Sequence, residues 1–322
     1  EQAYSGPVGR NEAVAIATGG AIPRGLDAVV IFEKVRLDDR TIYVSGTVRR
    51  GGYVASPGED FPKGYQIVRH GQVLAPADLG GLASIGRTVV PVYARPNVAI
   101  LPNGNELRVP GEALRPGQIY ESNNFTLGTI VQAGGGIPTT RPPISDDPDR
   151  IEEAIRAALK ENDLVVLTGG SSVGERDFLP AVFPRLGKVL FHGVAVRPGK
   201  PTLAVLAGRK LVIGMPGHPT SCLANGFWLL LPLVRRLARL PGSGTIPLTA
   251  SLASDYLPPS PGLSTVIPLR LVGGRAYPTF RDSSAITSLS GANAFSIVGP
   301  RKRLSRGTRL MVQRLLPPLA PE

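Results

Sequence analysis

The alternation of hydrophobic and polar positions changes rhythm three times along the chain. In the first stretch, short apolar runs at residues 13–17, 28–32 and 41–44 are separated by Gly/Pro turns and read as strands. Ser56-Pro-Gly-Glu-Asp-Phe61 ends it, a glycine turn with two carboxylates whose ordinary reading is solvated. Residues 64–92 read as a small connector, with Asp78 as the N-cap of a short helix over 79–85 and a strand at 89–93. From residue 97 strands and helices alternate. Strands are expected at 98–101, 137–140, 164–167, 189–191, 202–206 and 211–213. Helices are expected at 123–133, from Asp146-Asp-Pro-Asp149 to Lys160, after residue 177, and at 219–240. That rhythm predicts a mainly parallel sheet covered on both faces. Beyond Pro241-Gly-Ser-Gly244, residues 248–316 are short β runs, a small barrel or sandwich. Apart from Arg275 and Arg281 this last part carries little chemistry, and capping or assembly is its expected role. The expected divisions are 1–61, β-rich and N-terminally incomplete; 62–94, a connector; 95–240, α/β; and 241–322, a β-barrel. The chain does not begin with Met, and further residues are expected upstream.

The chemistry concentrates where the run at 164–167 ends. Thr168, Gly169, Gly170, Ser171, Ser172 and Gly174 follow it, and glycines there let successive N–H groups converge on an anion. Glu175 and Asp177 set carboxylates beside that cradle, as a metal bridging protein and phosphate would need. Arg197-Pro-Gly-Lys-Pro201 adds two cations on a stiff loop. A strand ending in Thr-Gly-Gly is also common in α/β proteins without a ligand there. In parallel sheets, however, ligands sit beyond the carboxyl ends of strands, and Asn105, Glu106, Ser145, Asp146, Thr168, Gly170 and Asp177 all fall at such ends. The pattern is neither a Walker A loop nor a Gly-x-Gly-x-x-Gly fingerprint.

Composition narrows the classes. The 322 residues are 42% hydrophobic and 19% charged, which is globular and long enough for several domains. The net charge of +12 favours anionic partners, but the arginines are scattered with no aromatic-studded basic run, so nucleic acid is not expected. Cys222 is the only cysteine, which excludes an intrachain disulfide and a thiolate metal cluster. His70, His192 and His218 lack the spacing of a zinc site. Residues 227–234 are too short for a membrane span and are broken by Pro232, and no signal peptide is visible, so a cytoplasmic protein without membrane contact is expected.

The ordered set of motifs resembles the molybdopterin molybdenumtransferase family (MoeA and the E domain of gephyrin) over nearly the whole chain. It runs through Ala17-Thr-Gly-Gly-Ala-Ile-Pro23, Gly58-Glu-Asp60, Asn103-Gly-Asn-Glu-Leu107, Gly117-Gln-Ile-Tyr-Glu-Ser-Asn123 and Asp146-Asp-Pro148. Thr168-Gly-Gly-Ser-Ser-Val-Gly-Glu-Arg-Asp177, Arg197-Pro-Gly-Lys-Pro201 and Gly214-Met-Pro-Gly-His-Pro219 complete it. The resemblance implies α/β plus β architecture: a central MogA-like molybdopterin-binding domain, a β-rich N-terminal domain and a small C-terminal β-barrel. It implies a homodimer whose active site is shared between subunits. The implied reaction inserts molybdate, or tungstate, into adenylylated molybdopterin with release of AMP and the help of Mg²⁺. A molybdopterin adenylyltransferase would be the substrate donor. The Arg-rich, cysteine-poor, proline-rich composition points to a thermophile, where tungsten is plausible.

Carried onto matching positions, the resemblance implies catalytic roles for Asp60, Glu106, Asp146, Asp177 and Lys200, with Glu106, Asp146 and Asp177 holding the metal. Thr18, Thr168, Gly169, Gly170, Ser171, Ser172, Gly174, Arg197, Pro216, Gly217, His218, Pro219 and Ser221 would bind the pterin compound, Thr18 and Asp60 coming from the partner subunit. The sequence departs from the pattern in four places. The family's Asp-Gly-Tyr-Ala segment is not in it, so a truncated chain is expected whose full activity needs that segment. Asn105 stands where the family has an acid, His218 where it has Asn, and Gly193 and Arg197 where lysines are frequent. Two alternatives remain: a non-catalytic gephyrin-E-like dimeric scaffold, and an enzyme sharing only the α/β part, such as a molybdopterin adenylyltransferase or a CinA-like pyrophosphatase. The charged site argues against the first, the flanking β regions against the second.

Overall fold

A computed structural model of the chain describes residues 4–171, 178–301 and 303–315. The chain divides into two compact units, Glu1–Thr88 and Val89–Glu322. In the first, Val35–Asp38 and Thr41–Val44 form an antiparallel hairpin whose turn is closed by Asp39 at φ 47°. A helix spans Pro76–Ser84. It begins three residues before the expected start, with Pro76 in its first turn, so Asp78 is not the cap but reaches back to accept the Ala75 N–H at 2.7 Å. Strands expected at 13–17 and 28–32, and at 89–93 in the second unit, are absent: those apolar runs have no ladder partner. Apolar runs make strands only where a second strand takes up their N–H and C=O groups.

The second unit is built on a six-stranded sheet of β1 (Asn97–Pro102), β2 (Ile137–Thr140), β3 (Leu164–Thr168), β4 (Lys188–His192), β6 (Leu203–Ala207) and β7 (Lys210–Met215). The spatial order is β2-β1-β3-β7-β6-β4. β2, β1, β3 and β7 are parallel, while β6 runs antiparallel to both β7 and β4. β1 and β3 are covered on both faces, which explains their unbroken apolar sequence. On one face Val98, Ile100, Leu164 and Val166 pack with Leu127 and Ile130 of α1 (Asn123–Ala133) and Cys222 of α4 (Pro219–Asn225). On the other, Ala99, Leu101, Val165 and Leu167 meet Ile151 and Ile155 of α2 (Pro148–Glu161) and Leu179 and Phe183 of α3 (Leu179–Leu186). The Asp147 carboxylate caps α2, accepting the Asp149 and Arg150 N–H groups at 3.0 Å each, with Pro148 at the first helical position. α4 continues through a π segment, Gly226–Leu230, into α5 (Leu231–Leu237). The helical run thus stops at Leu237, short of the expected 240, where Arg239 at φ 56° turns the chain.

The remaining β runs form a closed barrel. β8 (Thr245–Leu252), β9 (Ser264–Val272), β10 (Arg275–Pro278), β11 (Ala294–Val298) and β12 (Arg309–Leu315) are ordered β10-β8-β12-β11-β9, and pairing of β9 with β10 closes the ring. A two-residue strand, β5 (Val196–Arg197), comes from the α/β part and pairs in parallel with β9. The α/β-plus-β class with a small barrel, expected from sequence, is the observed architecture.

Candidate functional site

The carboxyl ends of β1, β3 and β7 and the chain after β2 form one edge, tied together by main-chain hydrogen bonds. Asn103 donates its N–H to the Thr168 carbonyl at 2.8 Å, Gly104 to Ile144 at 3.1 Å, and Ile144 to Pro102 at 2.8 Å. On that frame Asp146, half-buried, is held from both sides. Asn103 Nδ2 donates to its Oδ1 at 2.8 Å and the Asn105 N–H to its Oδ2 at 3.1 Å, while the Asp146 N–H returns a bond to Asn105 Oδ1 at 3.2 Å. Because a carboxylate only accepts, the Asn103 amide must present its nitrogen, and its Oδ1 is left buried without a partner. Glu106 is exposed, with its carboxylate folded over Gly104, where a Cβ would lie 2.7 Å from either oxygen. Its carbonyl accepts the Ile119 N–H at 2.9 Å, where Leu107–Arg108 pairs with Ile119–Tyr120.

Beside this lies the glycine turn after β3. Gly169 sits at φ 95°, and a side chain there would overlap the Asn103 carbonyl, so the position requires glycine. Its N–H goes to the Met215 carbonyl at 3.1 Å, and Gly217 packs directly on its Cα. Thr168 and Ser171 are buried, and Thr168 Oγ1 has no partner. Pro216 and Ser221 are buried, Pro219 opens α4, and Gly217 and His218 are exposed. Gly170 accepts the Leu179 N–H at 3.1 Å. Ser172, Gly174 and Asp177 lie outside the described residues.

Since β6 runs against β7, its start stands at the same edge, pairing Leu203 with Gly214. The turn leading into it, Pro198 to Pro201, is fixed from beneath by Asn225, fully buried on α4. Asn225 Nδ2 donates to Thr202 Oγ1 at 2.6 Å and to the Gly199 carbonyl at 3.2 Å. Thr202 Oγ1 donates to the same carbonyl at 2.7 Å, and the Trp228 indole N–H donates to Asn225 Oδ1 at 2.9 Å. Lys200 is left exposed on top of this turn. Arg197, also exposed, gives Nη1 to Ser260 Oγ of the barrel at 2.8 Å. The barrel also meets the start of α4: Thr220 donates its N–H to the Ser283 carbonyl at 3.2 Å and its hydroxyl to Ala285 at 2.6 Å. Nearby, the Ser284 hydroxyl and N–H hold the Asp282 carboxyl below the usual range, helped by the Ser283 N–H and the charge of His218.

One edge therefore brings together Glu106, Asp146, Thr168, Gly169, Gly170, Ser171, the Pro216–Ser221 segment and the Lys200 turn. Thr18 and Asp60 lie on exposed turns of the first unit. Among the described residues no three His, Cys, Asp or Glu side chains cluster as a metal cage. Sequence reasoning passed over Asn103, Glu121, Asn123 and Asn225 as site residues. Glu121 is 3% exposed. Burial pushes its pKa up against the lowering effect of the Asn124 and Asn123 N–H groups, the former at 2.9 Å. Burial, and then the charge of Glu121, push the Cys222 thiol far up. Asn123 Nδ2 donates to the Gly217 carbonyl at 3.0 Å, leaving its Oδ1 buried and unpartnered. The available signal was a polar residue inside an apolar stretch, as Asn225 is between Ala224 and Phe227.

The chain is similar to known proteins over most of its length. Family models described as "MoeA N-terminal region (domain I and II)", "Probable molybdopterin binding domain" and "MoeA C-terminal region (domain IV)" match residues 1–86, 99–236 and 250–315. The molybdopterin molybdenumtransferase of Bacillus subtilis is 34% identical over 303 residues, 90% of this chain and 70% of that one. That of Haemophilus influenzae is 37% identical over 226 residues, 70% of this chain and 56% of that one. The molybdopterin biosynthesis MoeA protein of Pyrococcus horikosii superposes with a TM-score of 0.80 at 32% identity, covering 98% of this chain and 78% of that one. With three models in chain order and this identity over most of its length, the chain belongs to the molybdopterin molybdenumtransferase family.

Proposed function

We propose that the chain acts in molybdenum cofactor biosynthesis, inserting molybdate or tungstate into adenylylated molybdopterin with release of AMP and the assistance of Mg²⁺. The observation that carries this reading is the juxtaposition, on one sheet edge, of a rigidly held carboxylate, a glycine turn and an exposed lysine on a braced turn. Cleaving a phosphoanhydride builds negative charge on phosphate oxygens, and preorganised donors and cations lower that barrier. The Gly169–Gly170 turn would approach the phosphates with its backbone, and Lys200 would supply positive charge to the leaving AMP phosphate. The wall at Pro216 to Pro219, braced by Asn123, would shape the pterin pocket.

The residues fit a hard divalent cation. Mg²⁺ is commonly held by one or two carboxylates and completed by substrate phosphates, so a three-acid cage is not required. Asp146, whose hydrogen-bond partners are neutral amides, and the exposed Glu106 would hold it, with Asp177 as a further candidate. When bound, the cation would neutralise charge on the phosphates. Thr18 and Asp60, exposed on turns of the first unit, would reach the site from a second copy in a homodimer. An adenylyl-transferring enzyme would supply the substrate.

The test is AMP release from adenylylated molybdopterin with Mg²⁺ and molybdate, tungstate or neither, for the unaltered chain, Lys200→Ala and Asp146→Asn. Release should depend on an oxyanion and fall about 100-fold in Lys200→Ala, the scale for losing one preorganised charge-stabilising group. Oxyanion-independent release, or unchanged rates in both variants, would defeat the reading.

A further inference from the structure

We infer that Asn103 and Asn105 are positioning residues that fix the Asp146 carboxylate for cation binding. This rests on the reading of Asp146 as a cation ligand. An aspartate on a loop would ordinarily sample several rotamers, and each must be frozen out before a cation is bound. Here both oxygens are already engaged, Oδ1 by Asn103 Nδ2 and Oδ2 by the Asn105 N–H, and the Asn105 side chain closes a reciprocal bond onto the Asp146 N–H.

The anchor is itself immobile. Asn103 is 4% exposed, its N–H is bonded to Thr168, and its carbonyl packs on Gly169, so it belongs to the rigid β1–β3 edge. It reaches across 43 residues of sequence to hold Asp146. The choice of an amide is informative. A lysine or arginine would also orient the carboxylate, but it would cancel the charge a cation needs. A neutral N–H donor orients the group and leaves its remaining lone pairs and its charge available.

The arrangement also works against folding at one atom. Asn103 Oδ1 is buried without a partner, an unfavourable state that a leucine of similar shape would not incur. What Nδ2 holds explains why an amide is there. The same substitution should therefore weaken metal binding without loss of stability, which a residue with only a structural role would not produce.

Mn²⁺ alone, titrated into the full chain and followed by loss of its free-ion EPR signal, tests this without any pterin substrate. Asn103→Leu should weaken Mn²⁺ binding about 10-fold, as loss of an outer-shell partner does, with an unchanged or raised melting temperature. Asn105→Ala, which loses only the reciprocal bond, should weaken it less. Asp146→Asn should weaken it at least as much as Asn103→Leu, and Asn103→Leu/Asp146→Asn no more than Asp146→Asn alone, since both act through one group. Binding by Asn103→Leu equal to that of the unaltered chain, or strictly additive losses, would overturn the positioning role while leaving Asp146 a ligand. Binding insensitive to Asp146→Asn would overturn the cation reading as well.

Discussion

At the scale of single residues, Glu121 is where solvation and hydrogen bonding pull in opposite directions. Desolvation raises its pKa above the ordinary 4.5, outweighing the N–H groups of Asn124 and Asn123. A carboxyl raised on folding holds its proton more tightly in the native than in the unfolded state. Its contribution to stability is therefore complete below pH 4.5 and is lost as pH rises through the folded pKa. A glutamine at this position would keep an oxygen to accept the Asn124 N–H and would never ionise. Urea unfolding of Glu121→Gln from about pH 4.5 to 8 should give a shallower fall in stability than the unaltered chain. Parallel slopes would show that Glu121 is not the group responsible. The same variant removes the charge that helps raise the Cys222 thiol.

At the scale of elements, the turn carrying Lys200 is only as rigid as the helix beneath it. Asn225→Ala would leave the Trp228 N–H without its acceptor and remove a donor from the Gly199 carbonyl and from Thr202 Oγ1. The expected loss is about 1–3 kcal/mol in urea unfolding. Hydrogen exchange should show lost protection at the Thr202 N–H, which bonds to the Lys200 carbonyl at 2.8 Å. Retained protection would mean the turn stands without Asn225. The hold of Asn225 on the turn was not legible in the sequence, because it joins residues 23 and 26 positions apart, whereas local pattern reads only near neighbours. The same reason hides Asn103: its motif was visible, but its bond to Asp146 was not. What was legible is the strand and helix order from β1 through α3, with the strands β4, β6 and β7. β1 and β3, buried on both faces, leave continuous apolar runs, and Asp147 with Pro148 announces the start of α2. Residues 13–17, 28–32 and 89–93 carry the same apolar signal and form no strand, since a ladder needs a partner that sequence does not name. The π segment after Asn225 was equally invisible, a local register change inside a run whose apolar pattern continues across it.

At the scale of the molecule, the α/β sheet and the barrel of the second unit are held as one body. One apolar cluster spans both parts: Val266, Leu289, Phe295 and Leu315 of the barrel part pack with Phe227, Leu230 and Val234 of the α4–α5 run. The Phe227 and Phe295 rings stack with centroids 6.3 Å apart at 11°. β5 adds a strand to the barrel from the stretch that leads to Lys200, and Thr220 bonds to the barrel's 283–285 stretch at the start of α4. The barrel thus braces two of the loops at the candidate site. Trp228, the only tryptophan, lies on the sheet side of this junction and reports on it by fluorescence. Phe295→Ala removes a buried ring from the barrel side and should cost about 3–5 kcal/mol. If sheet and barrel unfold together, that cost appears in the Trp228 transition, which moves to lower denaturant with an unchanged slope. If the Trp228 transition stays where it is while barrel structure melts earlier, the two parts fold separately, and bracing of the Lys200 turn by the barrel fails with it.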